Sequence, residues 1–389
     1  MSIAEESLKK HYEWRGKLET VPRAKVTDTS TLSLAYTPGV AEACLRIKDK
    51  PELSYELTRR WNTVAVVTDG TAVLGLGDIG PEAGMPVMEG KAVLFKTFGD
   101  VDAIPLCIRS KDATEIIRTV ELLGGSFGGI NLEDISAPRC FEIERELKKR
   151  LDIPVFHDDQ HGTAIVVGAA LLNALKLVGK DIGSVRAVIN GAGSAGIAIA
   201  EFLLGLGLGD VAVCDRKGVL DVATAGNEAK KAIAEKTNRA GIKGSLRDAM
   251  RGADVFIGVS APGVVDEDMV RSMAKAPLVF TMSNPVPEIL PEKALAAGAA
   301  VVGTGSSQYK NQINNVLAFP GIFRGALDAR ASDINLEMMT AACRAIAASV
   351  PENKLCPEYI IPYAFDKDVH KNVASAVKAA AIASGVARL

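Results

Sequence analysis

The residues best able to do chemistry in this 389-residue chain are a glycine-rich loop and two carboxylate pairs. Gly191-Ala192-Gly193-Ser194-Ala195-Gly196 has the G-x-G-x-x-G spacing that turns a chain beneath a pyrophosphate. Gly191 permits the tight turn, Gly193 lets backbone approach phosphate, and Gly196 lets helix pack closely on strand. Ser194 and Ala195 open the next helix, whose N-terminus offers N–H donors to an anion. The apolar run Val185–Ile189 before the loop and the helical pattern Ile197–Leu204 after it supply the context the motif needs. Asp215 follows the run Val211–Cys214, where an acid accepts from the ribose 2′-hydroxyl of NAD. Arg216 and Lys217 come next, and such cations suit the 2′-phosphate of NADP. Either nucleotide, NAD or NADP, fits this pattern.

Glu133-Asp134 follows the run Gly129–Leu132, and Asp158-Asp159 follows Pro154–Phe156. Ligands of open α/β sheets bind beyond the carboxyl ends of strands. Carboxylates converging there repel one another unless a cation binds, and oxygen ligands select Mg²⁺ or Mn²⁺ over zinc. Neighbours within a strand face opposite ways, so each pair must lie past the strand end to converge. His157 and His161 flank the second pair and read as hydrogen-bonding or packing groups rather than ligands. Lys91 sits in the apolar stretch Gly90–Phe95, a costly position unless it snorkels or works at a lowered pKa. Tyr36 lies in the loop Ser33–Ala41, in a region otherwise poor in aromatics.

These groups need a scaffold. The first ~30 residues read as a helix and a loop. Strands are predicted at Val64–Thr68, Ala103–Ile108, Gly129–Leu132 and Pro154–Phe156, with helices at Val87–Phe98, Ala113–Leu123 and Phe141–Lys149. A long apolar helix, Thr163–Val178, leads to a second series with strands at Val185–Ile189, Val211–Cys214, Val255–Val259, Leu278–Met282 and Ala300–Gly303. Helices at Ile334–Ala348 and Val369–Ala381 end the chain, and Ile334, Met338, Met339 and Ala342 read as core or subunit interface. The fold class is α/β: a doubly wound parallel-sheet Rossmann domain over 162–331, an N-terminal α/β substrate and metal domain over 1–161, and a helical tail over 332–389 packing back on the first domain.

A net charge of −2 gives no basis for a nucleic-acid partner or an anionic membrane surface. No run of about 18 uninterrupted apolar residues is evident, and Met1–Lys10 lacks the apolar core of a signal peptide. The six cysteines form no C-x-x-C pair, so reduced, mostly buried thiols in a cytoplasmic protein are expected.

The order of these features carries a family resemblance. Tyr36-Thr37-Pro38-Gly39-Val40 comes first, then Thr68-Asp69-Gly70 with Leu74-Gly75-Leu76-Gly77-Asp78. Gly90-Lys91, Asn131-Leu132-Glu133-Asp134 and Phe156-His157-Asp158-Asp159-Gln160-His161-Gly162-Thr163 follow, then the glycine loop, Ser283-Asn284-Pro285 and Asn314-Asn315. From about Ser33 to about Arg330 the sequence resembles the malic enzymes, in particular the short bacterial type. The resemblance implies oxidative decarboxylation of L-malate to pyruvate and CO₂ with NAD or NADP and a divalent metal, Mg²⁺ or Mn²⁺. It implies Glu133, Asp134 and Asp159 as metal ligands, a neutral Lys91 as general base, Asp158 as its support, and Tyr36 as general acid. Asn284 and Asn315 match residues that hold the substrate carboxylate, and Thr163 and Asn284 match positions near the cofactor. Longer members carry an arginine before the LGLGD segment that grips malate; here the stretch reads Thr71-Ala72-Val73. Two rival activities share much of this pattern: a malolactic-type lyase and a metal-independent amino-acid dehydrogenase. Short members are dimers, which implies a homodimer or higher homo-oligomer whose N-terminal segment completes a neighbour's active site.

Overall fold

The computed structural model describes residues 2–73 and 75–389; Met1 and Leu74, both within segments read above, lie outside the described residues. Four strands, β1 (Thr63–Thr68), β2 (Asp102–Cys107), β3 (Gly129–Leu132) and β4 (Val155–His157), form a parallel sheet in the order β2-β1-β3-β4. The second sheet holds β5 (Arg186–Asn190), β6 (Asp210–Asp215), β7 (Gly218–Val219), β8 (Val255–Gly258), β9 (Leu278–Thr281) and β10 (Val301–Thr304), in the order β10-β9-β8-β5-β6-β7. Its first five positions are parallel strands, as the alternation of strand and helix predicts. The sixth, β7, pairs antiparallel with β6 and is two residues long, too short to leave a periodic trace.

Both sheets are covered on both faces, which is why their strands read as continuous apolar runs. Along β1, Val64 and Val66 face the interior shared by the two sheets, while Ala65 and Val67 face the helices Ala113–Leu123 and Arg139–Arg150. Along β5, Ala187 and Ile189 face that same interior, and Val188 faces the opposite layer with Phe256 and Val279. The shared core also takes in Phe95, Phe156, Phe319 and Phe323, whose rings meet edge to face at 4.7 to 5.9 Å.

The helix Thr163–Val178 runs through this core. Together with the turn before it, the stretch Asp158–Val178 is 21 residues long with a mean hydropathy of 1.5. By length and composition it could cross a membrane, although Asp158, Asp159, Asn173 and Lys176 interrupt it, so it is not an uninterrupted apolar run of about 18 residues. Here the apolarity serves burial, because 67% of it lies inside the fold. The C-terminal helix Leu336–Ala348 packs on Thr163–Val178, and Val369–Ala383 packs on Phe319–Asp328. Ile334, Met338 and Ala342 are buried and Met339 half-buried. Gly321 and Gly325 make the second contact possible, since an added Cβ would come within 2.7 Å of Val373 and 2.5 Å of the Ala374 carbonyl.

In each sheet the strand order reverses once, between β1 and β3 in the first and between β5 and β8 in the second. Crevices for ligands open at such reversals, outside the carboxyl ends of the strands. Glu133-Asp134 and the glycine loop stand at these two places.

Candidate active site

The carboxylates converge because both strands have already ended. β3 stops at Leu132, and Glu133 is tied back by its N–H to the Val67 carbonyl at 2.9 Å. Asp134 then takes a left-handed conformation, φ 53°, which turns its carboxylate away from the strand direction. β4 stops at His157, and Asp158–Gly162 form a π-helical turn leading into the Thr163–Val178 helix. π-turns of this kind re-aim side chains and recur at functional sites. This one sends Asp158 towards Lys91 and Asp159 towards Asp134, whose N–H donates to Asp159 at 2.7 Å.

Glu133, Asp134 and Asp159 each offer an oxygen, and these oxygens lie within 4.8 Å of one another. Asn131 donates to the second oxygen of Glu133 at 2.9 Å. Asp134 Oδ2 is buried with no hydrogen-bond partner among the described residues. Burial pushes all three carboxyls above their ordinary range; Lys91 draws Glu133 and Asp159 part of the way back, and neighbouring carboxylates, Asp158 among them, push upward. An oxygen-only donor set with an unpartnered buried oxygen and surplus negative charge fits a hard divalent cation such as Mg²⁺ or Mn²⁺. Neither histidine joins the set. His161 faces the Glu144 carboxylate at 2.9 Å, and His157 is fully buried, with burial pulling its pKa down to about 4.

Lys91 lies on the helix Pro81–Gly99, on a buried face with Met88, Ala92 and Phe95. The sequence reading starts that helix at Val87; the structure starts it at Pro81 and carries Pro86 inside it. Lys91 is 8% exposed, its Nζ 2.5 Å from Asp158, 2.9 Å from Glu133 and 4.0 Å above the Phe319 ring. Burial pulls its pKa down, but Asp158 and Glu133 outweigh burial and hold it above the ordinary lysine value. With no cation on the carboxylates, the two acids facing Lys91 favour its ammonium form; the neutral Lys91 of the sequence reading belongs to the site with the metal bound. Asp158 is fully buried and pushed up to about 7, by burial first, with Lys91 opposing.

A cavity of about 900 Å³ gathers most of the remaining residues: Lys91, Glu133, Asp134, Asp159, Thr163, Ser194, Ala195, Asn284 and Asn315 all line it. Among the described residues lining it, Lys91 is the one cation, so no arginine replaces the one missing before Gly75. Asn315 also donates to Asp158 at 2.5 Å, so part of its amide is engaged with the lysine's partner. A second cavity of about 620 Å³ is lined by Gly191, Gly193, Asp215, Arg216, Lys217 and Lys230, and both cavities share Ser260 and Ala261. Gly191 has φ 124°, and a Cβ there would come within 2.5 Å of the Val259 carbonyl. A Cβ on Gly196 would lie 1.7 Å from the Gly191 carbonyl, whereas Gly193 faces open space from which a nucleotide can approach. Gly196 thus packs the helix and lines neither cavity.

Two placements depart from the sequence reading. Tyr36 is 68% exposed at the end of the helix Thr29–Ala35 and lines neither cavity. Asp215 does not present a free carboxylate: one oxygen accepts the Lys217 N–H at 2.8 Å and the other the Lys230 ammonium at 2.6 Å. Lys230 escapes sequence reasoning because it lies in a separate short helix, Glu228–Ala234, in an ordinary charged pattern. Phe319 beneath Lys91 gives no local signal either.

Residues 15–115 match the N-terminal domain of malic enzymes, and residues 160–382 match the malic enzyme NAD-binding domain. The bifunctional malic/malolactic enzyme of Bacillus subtilis is 56% identical over 391 residues, covering 100% of this chain and 95% of that protein. The NAD-dependent malic enzyme of Geobacillus stearothermophilus is 55% identical over 374 residues, covering 96% and 78%. The crystal structure of the malic enzyme from Pyrococcus horikoshii superimposes with a TM-score of 0.96 at 46% identity, covering 100% of this chain and 92% of that one. With both domains matched in order, and identity above one half to relatives of which it covers 95% and 78%, the chain belongs to the malic enzyme family.

Proposed function

We propose that this enzyme oxidatively decarboxylates L-malate to pyruvate and CO₂, reducing NAD⁺ or NADP⁺, with residues 1–161 carrying substrate and metal and 162–331 the nucleotide, while 332–389, expected to pack on the first part, packs mainly on the helices Thr163–Val178 and Phe319–Asp328 of the second. One observation carries the reading: Lys91 sits between Asp158 and Glu133, and Glu133 also belongs to the carboxylate trio, all beside the crevice of the glycine loop. When bound, a divalent cation on Glu133, Asp134 and Asp159 would polarise the C2 oxygen and stabilise the enolate, and the nucleotide would accept the C2 hydride.

The chain's own groups do the rest. Lys91 takes the C2 hydroxyl proton as a free amine, after its ammonium has given its own proton to solvent. Asp158 fixes the Nζ position and balances the ammonium charge formed in that step, and the Phe319 ring below leaves the lysine little other freedom. Hydride loss from malate gives oxaloacetate, and CO₂ loss gives the enol of pyruvate. Asn284 and Asn315 hold the substrate carboxylate by hydrogen bonds in place of the absent arginine. Tyr36 supplies the proton to C3.

Because Tyr36 is exposed in its own chain, we assign it to the site of a second copy in a homodimer. No residue from Ser2 to Trp61 is buried, and Ile3, Tyr12, Leu34 and Tyr36 are strongly exposed. So extended an apolar arm, without a core of its own, suits an obligate interface. Six free cysteines accord with a cytoplasmic enzyme. The test is the initial rate of nucleotide reduction with malate, with Mn²⁺ and after EDTA. Metal-independent turnover would count against the carboxylate trio as a metal site.

A further inference from the structure

One fully buried acid has no place in this mechanism. Glu288 follows Ser283-Asn284-Pro285-Val286-Pro287, and among the described residues no cationic side chain pairs with it. Its two oxygens accept backbone N–H groups from different loops, Ser260 at 3.0 Å and Ser283 at 3.1 Å. Burial pushes its carboxyl up, and these N–H donors draw it back. Gly258 makes room for it, because a Cβ there would lie 2.4 Å from the Glu288 carboxyl carbon. Its main chain belongs to the same clasp: the Glu288 carbonyl accepts the Val265 N–H at 3.2 Å.

The connection extends to the glycine loop. Asn190, which ends β5 directly before Gly191, donates to the Ser260 hydroxyl at 2.7 Å. Asn190, Ser260, Glu288 and Ser283 therefore tie together the ends of β5, β8 and β9, the strands that flank the reversal point. Ser260, Ser283 and Asn284 all line the 900 Å³ cavity, while Glu288 stands behind them. Burying a lone carboxylate costs several kcal/mol unless hydrogen bonds satisfy it. A carboxylate has what this place needs, two acceptors and no donor, so it can hold two N–H groups at a fixed spacing.

We propose that Glu288 is the positioning residue that sets the Ser283-Asn284 loop against the Ser260 loop, and so fixes Asn284 at the reacting end of the nucleotide. The proposal rests on the assignment of Asn284 to substrate and nicotinamide. Glu288→Gln keeps the shape but turns an NH₂ group towards one of the two backbone donors. Glu288→Asp keeps the charge but shortens the reach. In the full-length enzyme each should lower kcat for malate oxidation by about 10- to 100-fold, the cost of misplacing a contact by about 1 Å. Affinity for ADP-ribose, read by calorimetry, should fall far less than kcat, because Ser260 is shared with the Asp215 cavity but the Asp215, Lys217 and Lys230 contacts stay in place, while NADH affinity falls.

Kcat within about twofold of the parent in both variants overturns the proposal, as does ADP-ribose affinity falling in step with kcat. Two insoluble variants also overturn it, since Glu288 would then hold the fold rather than the crevice. If the parent enzyme does not oxidise malate, the functional reading fails. The clamp is then judged on NADH against ADP-ribose affinity alone: a selective loss of NADH supports it, and no difference refutes it.

Discussion

Replacing Lys91 with methionine is the sharpest perturbation of the site. It keeps side-chain length and removes the charge. Asp158, fully buried, then faces a thioether where an ammonium stood at 2.5 Å, and Glu133 loses its partner at 2.9 Å. Removing one partner of a buried ion pair costs about 3–5 kcal/mol. Losing the cation above the Phe319 ring, 4.0 Å away, adds about 1 kcal/mol. With an unfolding entropy of about 2.1 cal/mol/K per residue, a chain of this length loses about 5–7 °C in Tm. The pH dependence has a definite sign. Asp158 is raised from 3.8 to about 7 in the fold. A raised acid favours folding below its unfolded pKa, and that contribution is lost as pH rises through the folded value. Without Lys91 the carboxyl rises further, so protonation relieves the bare charge in acid. Calorimetry in EDTA should therefore show a deficit that is full at about pH 8.5 and smaller at about pH 6. Malate turnover should fall by about 10²–10⁴-fold, the usual worth of a general base. An unchanged Tm at the higher pH, or a deficit that grows in acid, would refute the reasoning about the buried pair.

Two further outcomes follow from the same geometry. If Tyr36 acts on a second copy, mixing inactive Lys91→Ala and Tyr36→Phe chains after dissociation should restore about a quarter of parental activity, because half the dimers then hold one intact site. No recovery would place Tyr36 in its own chain's site. Lys230→Met frees one oxygen of Asp215 for the ribose hydroxyls and removes a cation from the 2′-phosphate side, so the ratio of kcat/KM for NAD⁺ over NADP⁺ should rise about 10- to 100-fold, as for one charged hydrogen bond. A ratio that stays put means that Lys230 does not gate nucleotide choice.

The parts legible in the sequence are those whose chemistry is local. Gly191–Gly196 carries its turn and the Gly196–Gly191 contact within six residues, and each strand is fixed by short-range apolar patterning. The carboxylate pairs are legible as candidates for the same reason. What joins them is not local. Lys91 and Asp158 are 67 residues apart, and their meeting depends on a π-turn that no period announces. The two acids that face Lys91, and raise its pKa in the absence of a cation, reach it only through packing. The Asp215–Lys230 pair and the Glu288 clasp arise from side chains on separate loops. Tyr36 is recognisable by its motif, yet it stands exposed and outside both cavities of its own chain.

The most direct test of the account is a product balance: malate, nucleotide and Mn²⁺ with the purified enzyme, followed to completion. The account predicts one pyruvate and one reduced nucleotide for each malate consumed, and no turnover once EDTA removes the metal. Lactate formed without net reduced nucleotide, the malolactic outcome, would contradict it. So would a full yield of pyruvate in EDTA.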